Sequence, residues 1–203
     1  MSRAGWVAPR ELNKGAGMSA FDSYRAEIEA EAKRAWDEYR MVVIAGAELT
    51  QNRIRRNNSA HVLALDIDDY ISADGSVEDM LTRANDAGAV VVACHPNEMS
   101  DWFANTFYLW NRRTEVANSI HLWELACRWD LFPPVGRARL PFVGNSDFHD
   151  RPHLYAWKTL IPCDKNKPAI VRALKRGAGL AVTRMEPQPE AAPIFGLPVA
   201  VSA

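Results

Sequence analysis

The sequence is short of the features that mark membrane, secreted or polyanion-binding proteins. No stretch approaches the ~20 consecutive apolar residues that a bilayer span requires. The opening residues, MSRAGWVAPRELNKGAG, hold no apolar run that would serve as a signal peptide. There are only three cysteines, Cys94, Cys127 and Cys163, all far apart and with no C-x-x-C pair. That excludes a disulfide framework and a zinc ribbon, and leaves buried thiols in a reducing compartment. Neither sign of charge dominates: 24 basic residues face 25 acidic ones, for a net charge of -1. The balance favours no polyanionic partner over a small molecule. A cytoplasmic protein with no membrane association is expected.

What is present suits one globular domain. The 203 residues are 48% hydrophobic and 24% charged, enough for a sizeable core and too few for two comfortable domains. Residues 1–18 mix Gly, Pro and charge without periodicity and read as an irregular arm. A helix is expected from Ser19, with Phe21, Tyr24, Ile28, Ala32, Ala35 and Tyr39 forming one apolar stripe. Residues 41–45 and 61–67 are strand candidates. Ser76 caps a helix whose Val77, Met80, Leu81 and Ala84 face inward, and Gly88 stops it. Residues 89–94 form the clearest strand, apolar on both faces like a buried parallel strand. Residues 100–118 look helical, and 120–126 fit strand or helix. Pro133 and Pro134 mark a loop, and 140–143 and 156–161 are further strands. Pro168 opens a helix that ends at Gly177. Residues 180–183 close the ordered domain of 19–183, and 184–203, with four prolines, form a loose tail. Strands alternating with helices mean an α/β fold with parallel pairing.

In such folds ligands sit at the carboxyl ends of strands, so the residues that follow each strand matter most. Glu48 follows 41–45, His95 follows 89–94, and Asp147 and His149 follow 140–143. His61 opens the strand 61–67, where its direction decides which rim it occupies. Imidazole with carboxylate suits Zn²⁺, Mn²⁺ or Fe²⁺, and two carboxylates with three histidines exceed one open zinc site. Two or more ions are therefore expected, with Asp147 and His149 the strongest catalytic candidates. Pro152 disfavours a helix that would pair His149 with His153, so His153 is expected in a loop behind the ligands. His121 is expected to be structural and Glu124 to lie at the rim. Among Arg112, Arg113, Arg128, Arg151 and Lys158, the pair Lys158 and Arg151 rank first as phosphate binders because they flank Asp147–His149. Trp102, Trp110, Trp123, Trp129 and Trp157 are expected to fill the core.

The segments Gly46-Ala47-Glu48, His61 to Leu65, Ala93-Cys94-His95-Pro96-Asn97 and Gly144 to His149 together resemble the PHP superfamily, named for its polymerase-associated and histidinol phosphatase members. The resemblance covers roughly residues 19–183 and is strengthened by Trp157 to Leu160. It implies a distorted, TIM-like (β/α) barrel with a trinuclear metal cluster in its mouth. It also implies hydrolysis of a phosphate monoester or a nucleic-acid phosphodiester. Glu48, His61, His95, Asp147 and His149 would be the metal ligands.

The sequence departs from the family at its amino end. Family members open with a strand ending in His-x-His and an element ending in Asp-His, whereas no histidine precedes His61 here. The chain is therefore expected to form a barrel incomplete at its N-terminus, weakly active or inactive as given. The open sheet edge would be covered by residues 1–18 or by a second copy of the chain. Two rival readings stand beside the phosphoesterase: a non-catalytic PHP-like module binding a nucleotide or a protein partner, and a metal-dependent amidohydrolase. Phosphorylated amino-acid precursors, nucleotides and nucleic-acid ends all remain candidate substrates.

Overall fold

The computed structural model describes residues 17–53, 58–96 and 107–184. Helix α1 (Gly17–Tyr39) begins two residues before the expected Ser19. Phe21 and Ala35 of its stripe are buried, and Tyr24, Ile28 and Ala32 are half-buried. Tyr39, expected on the same stripe, is exposed instead. The outer face carries the pairs Arg25–Glu29, Lys33–Asp37 and Arg34–Glu38, all at the i,i+4 spacing that makes helix neighbours.

Strand β1 (Gly46–Gln51) runs antiparallel to β2 (Ala60–Leu65), with Gly46 opposite Leu65 and Gln51 opposite Ala60. β2 is antiparallel to β3 (Val90–Ala93), and β3 is parallel to β4 (Leu122–Cys127). β4 also pairs with the short antiparallel β5 (Asp130–Leu131) and with the parallel β6 (Phe142–Asn145). The sheet is therefore mixed, and parallel pairing holds only for β3, β4 and β6. Strands β7 (Trp157–Leu160) and β8 (Ala181–Arg184) form a separate two-stranded ribbon. Among the described residues the sheet does not close into a barrel.

Residues 41–45, apolar as they are, form no strand, because the ladder is set by β2 and not by local hydrophobicity. β2 ends at Leu65, and Asp66 turns the backbone into the left-handed region at φ 64°. Only one further bond follows, from Asp66 N to Ala45 O at 2.7 Å. Gly46 marks the junction: a Cβ there would stand 2.9 Å from Ala64 O. The expected loop at Pro133 and Pro134 is instead a short helix (Pro133–Arg137). Two prolines fit its first turn, where backbone N–H groups have no helical partner.

The helices that cover the sheet carry strong local signals. In α2 (Val77–Asp86), Ser76 Oγ accepts from Asp79 N and Asp79 Oδ2 accepts from Ser76 N, a closed capping box. Val77, Met80, Leu81 and Ala84 are buried as expected. The helix at Lys167–Arg176 is capped by Asn166 and ends on Gly177 at φ 64°, whose N–H meets the carbonyls of Ala173 and Leu174. Alternation along β3 divides the core. Val91 and Ala93 pack with Met80, Leu81 and Trp123, while Val90 and Val92 pack with Leu122, Val143, Val171 and Leu174. All four β3 residues are buried, and the three valines each contribute about 1.5–3 kcal/mol of apolar burial. No helix among the described residues is long and apolar enough to cross a membrane.

Candidate metal centre

The antiparallel course of β2 decides the place of His61. It brings the start of β2 to the end of β3, where Cys94 N donates to His61 O at 3.1 Å. His95 follows directly, so two imidazoles from opposite strand ends meet on one rim. Glu48 lies within β1, opposite Leu63, and not after a strand as its sequence position implied. Cross-strand partners share a face, and His61 lies two residues from Leu63, so Glu48 and His61 are diagonal neighbours on one face.

Their atoms converge closely. His61 Nδ1 is 3.0 Å from Glu48 Oε1 and 2.9 Å from His95 Nε2, while His61 Nε2 is 2.9 Å from Asn52 Oδ1. One Nδ1 carries at most one hydrogen and cannot donate to both neighbours. The ligand atoms of Glu48, His61 and His95 lie within 4.8 Å of one another. A carboxylate oxygen and two ring nitrogens so placed are a donor set that a divalent cation satisfies. Burial pushes the Glu48 carboxyl up. The bond with His61 and the charges of His61, His95 and His149 outweigh it, so the group stays below its ordinary value.

Behind His95 stands Glu124, which the sequence placed at the rim and the structure buries. Glu124 Oε2 accepts from His95 N at 2.6 Å and lies 3.7 Å from His95 Nδ1, and Oε1 accepts from Asn145 Nδ2 at 2.7 Å. The bond to His95 N fixes the backbone that presents the imidazole, and the carboxylate stands beside the ring as a supporting charge. The backbone at His95 is held at φ 29° and at Asp147 at φ 41°, positions costly for side-chain-bearing residues.

Asp147 comes off β6, half-buried, with Oδ2 2.7 Å from Arg128 Nη2 and Oδ1 3.3 Å from His149 Nδ1. One of its carboxylate oxygens lies within 4.8 Å of a His95 ring nitrogen and of Cys127 Sγ. His95 thus belongs to two ligand groups at once. His149 falls in neither and is exposed, with its Nδ1 2.8 Å from Asp147 O. His153 Nδ1 accepts from the N–H groups of His149 and Asp150, the supporting place expected of it. His121 Nδ1 accepts from Val91 N, a structural role.

The expected phosphate binders sit differently. Lys158 Nζ donates to the carbonyls of His153, Ala156 and Trp157, and Arg151 opens an exposed 3-10 turn. The cation on the site is Arg128. Arg112 and Arg113 lie over the rings of Tyr108 and Trp110. Of the tryptophans expected in the core, Trp123 is buried, Trp110 and Trp157 are half-buried, and Trp129 is exposed instead; Trp102 lies outside the described residues. Sequence reasoning named Arg128 among the possible phosphate binders but ranked it below Lys158 and Arg151, gave Cys127 no place near the candidate ligands, and set Glu124 at the rim where the structure buries it. Their common signal, the end of β4, was hidden while 120–126 stood undecided between strand and helix.

No family model matches this sequence, and no curated protein matches it. Among solved structures, the fold is similar to a two-domain protein from Bacteroides vulgatus that contains a predicted PHP-like metal-dependent phosphoesterase. The identity is 17% and the TM-score 0.56, over 75% of this chain and 48% of that one. This chain thus spans about half the length of that protein. At that identity the likeness is one of fold alone, a mixed α/β architecture.

Proposed function

We propose that the protein is a divalent-metal-dependent phosphoesterase of the PHP type, with Glu48, His61, His95, Asp147 and His149 as its metal-binding residues. The observation that carries this reading is the convergence of Glu48, His61 and His95, extended to Asp147 through His95. The solved structure named above is of a protein that contains a predicted PHP-like metal-dependent phosphoesterase, which supports this reading. Zn²⁺, Mn²⁺ or Fe²⁺ suit these ligands, and the two groups sharing His95 suit two ions or more. Ions held by these residues would supply Lewis-acid polarisation of a phosphate ester and a more acidic water, so that no side-chain nucleophile would be required.

The protein's own residues divide the remaining work. Glu124 and Asn145 hold His95 in place. Arg128 fixes one oxygen of Asp147 and leaves a cation beside the site, suited to a substrate phosphate. Lys158 and Arg151, which flank Asp147–His149 in the sequence, remain the proposed outer contacts for that phosphate. The substrate class is a small phosphate ester, a nucleotide or a nucleic-acid end, met in a reducing cytoplasm and without a membrane. Pairing of β1 with another copy of the chain is the proposed way of covering that strand's outer edge.

The test is turnover of an aryl phosphate monoester and diester with added Mn²⁺ or Zn²⁺. Metal-dependent turnover that disappears in Asp147→Asn is expected. Metal binding with no turnover of any phosphate ester would favour a non-catalytic module instead, and turnover of amides or carboxylic esters alone would favour an amidohydrolase.

A further inference from the structure

Cys127 takes no part in the site as proposed, yet its sulfur stands among the ligands. Cys127 Sγ, a His95 ring nitrogen and an Asp147 carboxylate oxygen lie within 4.8 Å of one another. Ligand atoms around one tetrahedral zinc, with Zn–N about 2.0–2.1 Å and Zn–S about 2.3 Å, stand roughly 3.3–3.8 Å apart. The three groups need only small rotations to reach that spacing. They come from the ends of β3, β4 and β6, three parallel neighbours.

The register between β4 and β6 shifts between Glu124 and Ala126, and beyond the shift Cys127 pairs with Asn145. Cys127 therefore stands opposite the residue whose amide holds Glu124, the carboxylate behind His95. The residue is 4% exposed, which keeps solvent from the sulfur.

We propose that Cys127 is a thiolate ligand of a second metal position shared with His95 and Asp147, and that it makes this position thiophilic, taking zinc in preference to manganese or magnesium. A thiolate is soft and selects Zn²⁺, whereas an all-oxygen and imidazole set accepts Mn²⁺ readily. This assignment rests on the metal-site reading above and adds to it the identity of the ion.

Co²⁺ titration of the full chain tests the two separately. A thiolate ligand gives cobalt an intense near-ultraviolet charge-transfer band, and tetrahedral nitrogen and oxygen ligands give visible bands alone. The wild type is expected to show both. Cys127→Ser should lose the near-ultraviolet band and keep visible bands from the Glu48–His61–His95 position. Because Cys127 and Cys94 are both buried, each variant is compared with the wild type by circular dichroism, and the folded Cys94→Ser/Cys163→Ser double variant, with Cys127 its sole thiol, should keep the near-ultraviolet band. Visible bands without the charge-transfer band in the wild type overturn the thiolate assignment alone. So does a band that survives Cys127→Ser or vanishes in the double variant. No cobalt bands in any form overturn both the thiolate assignment and the metal site.

Discussion

At the scale of single residues, the site is held by groups that bind no substrate. Glu124 is buried and spends both oxygens on orienting others, one on His95 N and one on the Asn145 amide. Glu124→Gln keeps the shape and removes the charge, and it is expected to weaken metal affinity about 10–100-fold, read by competition titration against a chromogenic chelator. An unchanged affinity would leave Glu124 a packing residue only. Glu48 carries a pH signature. Its carboxyl is held below the ordinary value because the bond with His61 and three imidazole charges outweigh burial. A depressed carboxyl stabilises the fold above its unfolded pKa, about 4.3, and that stabilisation is lost as pH falls through the lower folded value. In metal-free protein, the stability difference between wild type and Glu48→Gln should therefore shrink as pH drops below about 4.3. Urea denaturation over that range measures it, and a difference independent of pH would contradict the ion-pair account.

At the scale of elements, what the sequence made legible was what local chemistry decides. The capping box of Ser76 and Asp79, the buried face of Val77, Met80, Leu81 and Ala84, and the left-handed stop at Gly177 all depend on neighbours within a few residues. Ser76→Ala is expected to cost about 1 kcal/mol in chemical denaturation. Gly177→Ala should cost about 1–2 kcal/mol from backbone conformation alone. It should cost more in practice, because its Cβ would stand 2.8 Å from Pro141 Cβ. The strand through Val90, Val91, Val92 and Ala93 was legible because it is buried on both faces. The place of β1 was not, since residues 41–45 look more strand-like than the Gly46–Gln51 segment that pairs with β2. Pairing partners far along the chain settle such boundaries, and one sequence does not display them. The same holds for Cys127, which joins His95 and Asp147 through the parallel neighbours of β4, the strands β3 and β6.

At the scale of the molecule, the ends of three parallel strands and the start of one antiparallel strand meet on one rim and bring the candidate ligands together. Candidate ligands after β3 and β6 could be read from the sequence, because strand ends in α/β folds are where sites form. The reach of His61 and the shared position of His95 needed the sheet order. His95 is the hinge of the account, since it belongs to both ligand groups. The most direct measurement is therefore metal content and uptake, by elemental analysis and equilibrium titration with Zn²⁺ and Mn²⁺, of the chain purified without chelators and of its His95→Ala variant. Stoichiometric transition metal in the wild type, lost from the variant while its circular dichroism stays unchanged, is the predicted result. No metal retained or taken up by the wild type, or undiminished uptake by His95→Ala, would contradict it.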